Sequence, residues 1–457
     1  MAITVRIPVS TAVIEDNPGC VRRARFKNGA IVIELDARRQ KHRKVLGLDG
    51  WTKLHWSEAR TYAAQELSSF RYPIRYRVTT AEAWYTDAEG QRVHYTPTIR
   101  GLDAYAKVSE VVQRAAVLLV VIGAVGYRRA SWLLQQLFQV TVSKSSLCRW
   151  VKDVAARLPS REEIVKLLDE DKPITEAHFD EIFPRGQEGP VLVVQDEHGR
   201  IFASGRVDKK DEMAVKAFLE WVRGLGLAIR TFYIDTCATY RKVIPQVFPQ
   251  ARIQLDYFHI IQCVWRHLWK FFVSRRKRIA QNAEKSRTPW YKARLKAMAK
   301  SLWTNRHVLF KSDRNLRDEE KVTLAEMCEA DGKVAGIRVF LTGVWHIFED
   351  SSDEAEARLA LEELKIQPDA GASEHHRRAV KFLDDTIEQA TTYLREKDVQ
   401  RNSLAESGMR TLRRLEQEHD GFRSDDSRED FLRIYQAVKY LGWSLHGPIP
   451  SRRAQGP

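Results

Sequence analysis

Apolar and polar residues alternate through much of the first hundred positions, then give way to a helical period. Ile3–Val9 and Ile31–Leu35 read as strands, with Lys27-Asn28-Gly29 as a hairpin turn before the second. Ile74–Val78 predicts another strand. Ala83–Tyr85 and Val93–Tyr95, separated by Asp87-Ala88-Glu89-Gly90, predict a hairpin. One helix is expected among these strands, near Ser57–Leu67.

From about Tyr105 the pattern is helical. The most apolar run, Ala115 to Gly126, is too short to span a bilayer and reads as a buried helix. Arg128–Leu137 is amphipathic, with Ala130, Leu133, Leu134 and Leu137 on one face. Gln139–Val142 breaks the pattern, and Ser143 is placed to cap a second helix, Lys144–Ala155. Two helices joined by so short a turn match a helix-turn-helix. Its second helix would offer Lys144, Ser145, Ser146 and Arg149 to a DNA groove.

Thr175–Phe258 has a different rhythm. A strand around Asp180 is followed by Val191–Gln195, the turn Asp196-Glu197-His198-Gly199, and Ile201–Arg206, which predicts three antiparallel strands. A helix (Glu212–Leu225), a strand (Ile229–Ile234), a helix (Thr239–Val247) and a strand (Arg252–Leu255) follow. That order predicts a mixed sheet covered by helices, as in ribonuclease H-like domains. Asp180 would lie on its first strand. Asp235 would end the adjacent fourth strand, where open α/β sheets gather their ligands. Arg266 to Asp398 carries no strand signal and reads as all-α.

Charge changes the picture. The net formal charge is +15, and between Arg266 and Arg317 sixteen Lys and Arg face only Glu284 and Asp313. A cationic concentration of this kind is a footprint for a polyanion. Arg275, Arg276, Lys277 and Arg278 are its densest run. The tryptophans of this half (Trp265, Trp269, Trp290, Trp303, Trp345) fall mostly at core-like spacing, leaving one or two to stack on exposed bases. The five cysteines form no Cys-x-x-Cys pair, which argues against a zinc ribbon or a disulfide framework and fits a reducing cytoplasm. Met1 to Ser10 alternates like a strand and not like a signal peptide.

Against this basic background, Asp180, Asp235 and Glu406 stand out. Hard divalent cations take oxygen ligands, and two of them about 3.5–4 Å apart can clamp an in-line displacement at phosphorus. Glu406 shares a predicted helical stripe with Asn402, Arg410 and Arg413, combining a metal-type carboxylate with two phosphate-type guanidiniums. Asp196 is the rival first acid, but its place at a hairpin tip predicts a turn former.

These residues resemble a family, the DDE-type insertion-sequence transposases of the ISL-three group. The resemblance runs from about Thr175 to Leu441. It rests on Asp180-Glu181-Ile182-Phe183, Ile234-Asp235, Pro249-Gln250-Ala251 with Asp256-Tyr257-Phe258-His259, and Arg306-His307-Val308-Leu309-Phe310-Lys311. It continues with Leu316-Arg317-Asp318-Glu319-Glu320, Asn402-Ser403-Leu404-Ala405-Glu406 and Gly421-Phe422-Arg423. The resemblance implies an α/β ribonuclease H-like catalytic domain with a mixed sheet, interrupted by an all-α insertion and preceded by a β-rich region and a helix-turn-helix. It implies that Asp180 and Asp235 hold the metals, two Mg²⁺ ions with Mn²⁺ as a substitute, that Glu406 completes the set, and that Asp256 and His259 support it; Arg410 and Arg413 are expected to add support from the stripe they share with Glu406.

The expected activity is cleavage of double-stranded DNA at element ends and strand transfer into a target, in the cytoplasm, by a homodimer or larger assembly on DNA. The alternatives are a nuclease without strand transfer and a catalytically silent DNA-binding protein. The chain lacks the family's N-terminal cysteine ribbon, and Met409 stands where the family tends to have Asn. The expected boundaries are 1–104 (β-rich), 105–160 (helix-turn-helix), 170–265 (catalytic, first part), 266–398 (basic insertion), 399–447 (catalytic, C-terminal helices) and 448–457 (tail).

Overall fold

The computed structural model describes residues 12–443 apart from 29, 41, 49–51, 70–71, 103–106, 185–187, 369–372, 404, 419–421 and 423. The expected strand Ile3–Val9 and the tail 448–457 lie outside the described residues. Two units are distinguished, one built chiefly from residues 12–167 and those from Leu412 onward, the other from Leu168–Phe183 and Glu188–Thr411.

In the first unit, strands β1 (Val21–Lys27), β2 (Ala30–Asp36), β4 (Arg60–Ser69) and β5 (Tyr72–Thr80) form a sheet in the order β1-β2-β5-β4. The pair β2 and β5 is parallel and the other two pairs are antiparallel. A smaller sheet joins β3 (His55–Trp56) to the hairpin of β6 (Ala83–Thr86) and β7 (Arg92–Tyr95). Inward-facing Ile33, Leu35, Tyr76 and Val78 fill the core.

The helix expected near Ser57–Leu67 is instead β4, paired with β5 from Arg60↔Thr80 to Glu66↔Ile74. Its residues favour helix locally, but pairing with β5 overrides that preference. The alternation is disguised because an inward position is acidic: Glu66 is buried and accepts a hydrogen bond from the Tyr76 hydroxyl at 3.3 Å.

Helices α1 (Glu110–Val121), α2 (Tyr127–Phe138) and α3 (Lys144–Ala155) follow, and then α4 (Arg161–Asp171). Gln139 turns the chain out of α2 in the left-handed region, at φ 55°, and the Ser143 hydroxyl caps α3 by accepting from the Ser146 amide at 3.1 Å. Leu137, expected on the apolar face of α2, is 62% exposed; Ala130 and Leu134 carry the packing.

The second unit is organised by a five-stranded sheet, β10-β9-β8-β11-β12. The strands are β8 (Glu176–Ile182), β9 (Val191–Gln195), β10 (Ile201–Arg206), β11 (Thr231–Ile234) and β12 (Arg252–Leu255). The first three are antiparallel, while β8, β11 and β12 run parallel. Helices α5 (Glu212–Gly224) and α6 (Ala238–Val247) are the crossovers, packed on the sheet through Phe218 and Tyr240 against Phe179. Burying a side chain such as Phe179 contributes about 1.5–3 kcal/mol. Gly205 on β10 lets the Phe218 ring approach, since a Cβ there would meet it at 2.9 Å.

After β12 the described residues contain no further strand. The longer helices are α7 (Tyr257–Lys285), α8 (Pro289–Thr304), α9 (Asp318–Ala330), α10 (Gly332–Trp345), α11 (Glu354–Ile366), α12 (Glu374–Ala390), α13 (Ala405–Glu418) and α14 (Asp425–Lys439). None among the described residues is long and apolar enough to cross a membrane. The sheet edge is sealed where the Gln254 amide donates to the Ala390 carbonyl at 3.0 Å and the Thr392 hydroxyl donates to the Ile253 carbonyl at 2.7 Å.

Asp196 is fully buried and supports the β9–β10 hairpin. It accepts from the His198 and Arg200 amides and pairs with the Arg200 guanidinium at 2.6 Å. Arg200 also donates to the carbonyls of Leu168 and Lys172. Removing one partner strands the other charge, so Asp196→Ala should lower unfolding free energy by about 3 kcal/mol. A urea midpoint unchanged from the parent protein would contradict this structural role.

Candidate functional site

Parallel register places the acids. Ile234 of β11 sits opposite Phe179 of β8 and Leu255 of β12. The residues that follow are Asp180, still within β8, and Asp235 and Asp256, just past the ends of β11 and β12, so three carboxylate residues follow in register at this end of the parallel strands. Asp180 accepts from the Glu181 amide at 2.8 Å, and Asp235 accepts from the Cys237 amide at 2.8 Å, so both are oriented by the local backbone.

Burial pushes the Asp180 carboxyl above its ordinary range, and the nearby charges of Glu181 and Asp235 push the same way. Burial also raises Asp235; Lys210 opposes that shift and Glu181 adds to it. His259, on the first turn of α7, lies within electrostatic reach of both aspartates and favours their charged forms. Two desolvated like charges side by side are unfavourable unless a cation joins them.

One resident cation is Lys210, which no sequence signal singles out, because Asp208-Lys209-Lys210-Asp211 looks like a solvated turn. Lys210 pairs with Glu181, and its Nζ lies 3.9 Å from Asp235 Oδ2 and 4.3 Å from the centre of the Tyr240 ring. Burial alone would lower the Lys210 ammonium, but the Glu181 hydrogen bond and the Asp235 charge hold it above its ordinary value. The Tyr240 hydroxyl donates to the other Glu181 oxygen at 2.5 Å, and burial raises that phenol strongly.

Asp256 has a different task. One oxygen caps α7 by accepting from the Phe258 amide at 2.8 Å, and the other accepts from the Ser403 amide at 3.0 Å. The Ser403 hydroxyl lies 3.1 Å from His178 Nδ1 on β8, and His178 stacks on Tyr233 of β11 at 4.4 Å. The Tyr233 hydroxyl accepts from the Gln400 amide at 2.9 Å. The segment leading to Glu406 is thus fastened to the sheet beside the two aspartates. Glu406 itself falls on α13, and its side chain lies outside those described. Asn402 precedes α13, so it does not share a helical stripe with Arg410 and Arg413, both of which are exposed. Among the described residues, no three His, Cys, Asp or Glu side chains form a metal-sized group.

The expected DNA contacts are divided by the structure. Lys144, Ser145 and Arg149 are exposed on α3, whereas Ser146 is half-buried in the helix cap. On α7, Arg275 is committed to buried Asp331 at 2.8 Å. Arg276 lies over the Trp303 ring at 4.9 Å, leaving Lys277 and Arg278 exposed without an ion pair among the described residues. Of the tryptophans expected in the core, Trp345 is buried, whereas Trp290 is 65% and Trp303 37% exposed.

A family model described as Transposase, that of the DDE-type ISL-three group, matches residues 179–427. No curated protein matches the chain. Among solved structures it is similar to the Drosophila P element transposase strand transfer complex, at 12% identity and a TM-score of 0.39, over 78% of this chain and 94% of that one. A likeness that loose carries no weight beside the family match. The matched segment covers more than half of the 457 residues, begins one residue before Asp180 and extends past Glu406, and the chain accordingly belongs to the ISL-three family of DDE transposases.

Proposed function

We propose that this transposase cuts double-stranded DNA at the ends of its element and joins the freed 3′-hydroxyls to target DNA, with divalent cations at Asp180, Asp235 and Glu406. The observation that carries this reading is the side-by-side placement of Asp180 and Asp235, desolvated and with raised pKa values. The strand order of the sheet supports a ribonuclease H-like catalytic domain, and the all-α stretch 266–398 is read as its insertion.

The donor set fits Mg²⁺, a hard ion that takes carboxylates and phosphate oxygens, with Mn²⁺ as substitute. Such ions lower the pKa of an attacking water or 3′-hydroxyl and neutralise charge that builds on the phosphate and leaving oxygens. The protein's part is to hold the acids in place. The backbone turns fix Asp180 and Asp235, and Asp256 with Ser403 fixes the start of the Glu406 helix. Lys210 neutralises Glu181 beside the pair. Arg410 and Arg413 are read as phosphate contacts, α2 and α3 as the helix-turn-helix, and Lys277 and Arg278 as non-specific DNA contacts. Two ends must be paired, so the working assembly is read as a homodimer or larger on DNA.

A strand-transfer assay on the element's terminal repeats tests the reading directly. Asp180→Asn, Asp235→Asn and Glu406→Gln should each abolish cleavage and joining while DNA affinity is kept or slightly raised. Cleavage without joining by the parent protein would point to a nuclease, and activity in all three variants would sink the assignment.

Metal linkage gives a readout without DNA. Raised carboxyl pKa values mean that the folded state tolerates the protonated acids, and stability is lost as pH rises through the folded pKa. Mg²⁺ should therefore raise the melting temperature more near pH 7 than near pH 4, in the ordinary aspartate range. At a hundredfold excess over its dissociation constant, the gain is about 2.7 kcal/mol. Asp180→Asn should melt no lower than the parent without metal and lose most of the Mg²⁺ gain. Equal Mg²⁺ effects at both pH values would contradict the linkage.

Salt dependence separates the basic residues. Lys277→Ala with Arg278→Ala should reduce the slope of log K against log salt by up to about 0.9 for each phosphate that is no longer neutralised. Arg275→Ala should instead destabilise the fold, by stranding Asp331, with little change in slope.

A further inference from the structure

The four-stranded sheet of the first unit packs one face on the core and leaves the other open. Ile33 and Leu35 of β2 and Ile74, Tyr76 and Val78 of β5 point inward. The alternate positions point outward: Arg23 and Arg25 on β1, Val32 and Glu34 on β2, Arg75 and Arg77 on β5. Glu34 stands between Arg23 and Arg77, and Val32 stands between Arg25 and Arg75. With strands about 4.8 Å apart and residues about 3.4 Å apart, the four arginines mark the corners of a patch of roughly 7 by 10 Å.

Charge on this face is not balanced within the protein. Arg23 and Arg25 both bond Glu34, at 2.7 and 2.8 Å, which engages each of its oxygens. Arg75 and Arg77 are exposed, and neither has an ion pair among the described residues. Asp36, the other acid on this side of β2, is buried and already pairs with Arg22 and Arg38. A solvated sheet face gains stability by setting opposite charges across its strands, whereas like charges there repel. Here a cationic surplus flanks β2 on both sides. Val32 and Ala63, the neighbours of Arg75 and Arg77, are short, so the guanidiniums project beyond them.

The location of the face points to its partner. Gln65 of β4 lies opposite Arg75 on the same side of the sheet, and its Oε1 accepts from the Thr141 amide at 3.1 Å. Thr141 belongs to the turn between α2 and α3. The arginine face is thus joined, one strand away, to the turn leading into α3, where Lys144 and Arg149 are exposed. All of these residues precede the segment matched by the family model, 179–427.

We propose that this sheet face binds the phosphate backbone of duplex DNA beside the stretch met by α3. Arg75 and Arg77 neutralise phosphates, and Arg23 and Arg25, held by Glu34, widen the patch. Guanidinium forks match phosphate oxygens, and such contacts position a protein on DNA without reading its sequence. The inference rests on the reading of DNA as the substrate and of α2 and α3 as a helix-turn-helix.

The test uses the full-length protein in Mg²⁺-free buffer with two duplexes of equal length. One carries the inverted repeat that brackets the gene, and the other a scrambled sequence. Arg75→Ala with Arg77→Ala should weaken binding to both by the same factor. The slope of log K against log salt should fall by up to about 0.9 for each of the two phosphates released. Arg75→Lys with Arg77→Lys keeps the charge and should retain most of the slope, which separates lost contacts from lost folding. Lys166→Ala with Lys216→Ala removes two exposed charges elsewhere and should leave the slope as it was. In hydroxyl-radical footprints on the repeat, the arginine-to-alanine variant should lose protection beside the positions that Arg149→Ala exposes.

An unchanged slope in that variant would overturn the sheet contact. So would an equal fall in the Lys166 and Lys216 control, a lysine variant with as low a slope as the alanine variant, or lost protection only where Arg149→Ala loses it. A narrowed gap between repeat and scrambled duplex would mean that the face reads bases, and the phosphate assignment fails. If the parent protein shows the expected slopes but never cleaves with Mg²⁺, the transposase reading fails and the sheet contact stands. If it cleaves while the slopes stay level, the sheet contact alone fails. If it binds neither duplex, both fall.

Discussion

Everything at the candidate site depends on the parallel register of three strands. Because Phe179, Ile234 and Leu255 are in step, the residues that follow them are in step as well, and each is an aspartate. A slip of one residue in any strand would turn its side chains to the opposite face and dissolve the row. Phe179, Phe232, Ile234 and Leu255 are almost fully buried, so apolar packing holds the register against the repulsion that desolvated acids generate. Fold stability is here spent on keeping unfavourable neighbours together.

The contrast with Asp196 shows how buried charge can be read. Asp196 is more deeply buried than Asp180 or Asp235, yet it is satisfied by two backbone amides and an arginine. Asp180 and Asp235 are each oriented by a local amide, with an electrostatic contribution from His259 and, for Asp235, from Lys210, and their carboxyls remain raised. Burial alone therefore does not mark a metal site. Two neighbouring acids whose carboxyls are raised differ in kind from one acid held by an arginine and two amides, and that difference underlies the proposed cation site.

Much of the second unit is legible in the sequence because its strands are short apolar runs bounded by turns and its helices carry clear caps. Val191–Gln195 and Arg252–Leu255 fall where the sequence places them. The first unit is harder to read. Glu66 hides the alternation of β4, and the arginines of Val21–Lys27 mask a strand whose pairing with β2 is set by tertiary contact. At the site, Asp180 on the first strand and Asp235 at the end of the fourth can be found from the strand pattern, whereas Lys210 cannot. Its role arises from a loop folding back on the sheet, which no spacing rule encodes. The division of labour among Arg275, Arg276, Lys277 and Arg278 is equally invisible, because it depends on Asp331 and Trp303 arriving from other helices.

The hydrogen bond from the Ser403 amide to Asp256 spans 147 positions of sequence. Everything between those two residues is, in polymer terms, one long closed loop. The entropy of closing such a loop grows only logarithmically, by about 0.6 kcal/mol for each doubling of its length. Helices could therefore be added to or removed from the interior of this stretch during evolution with little penalty to the closure itself. The two residues that fasten its ends have no such latitude. The size of the helical segment is thus free to vary, while the pair that returns the chain to the sheet must persist for the segment leading to Glu406 to be fastened there.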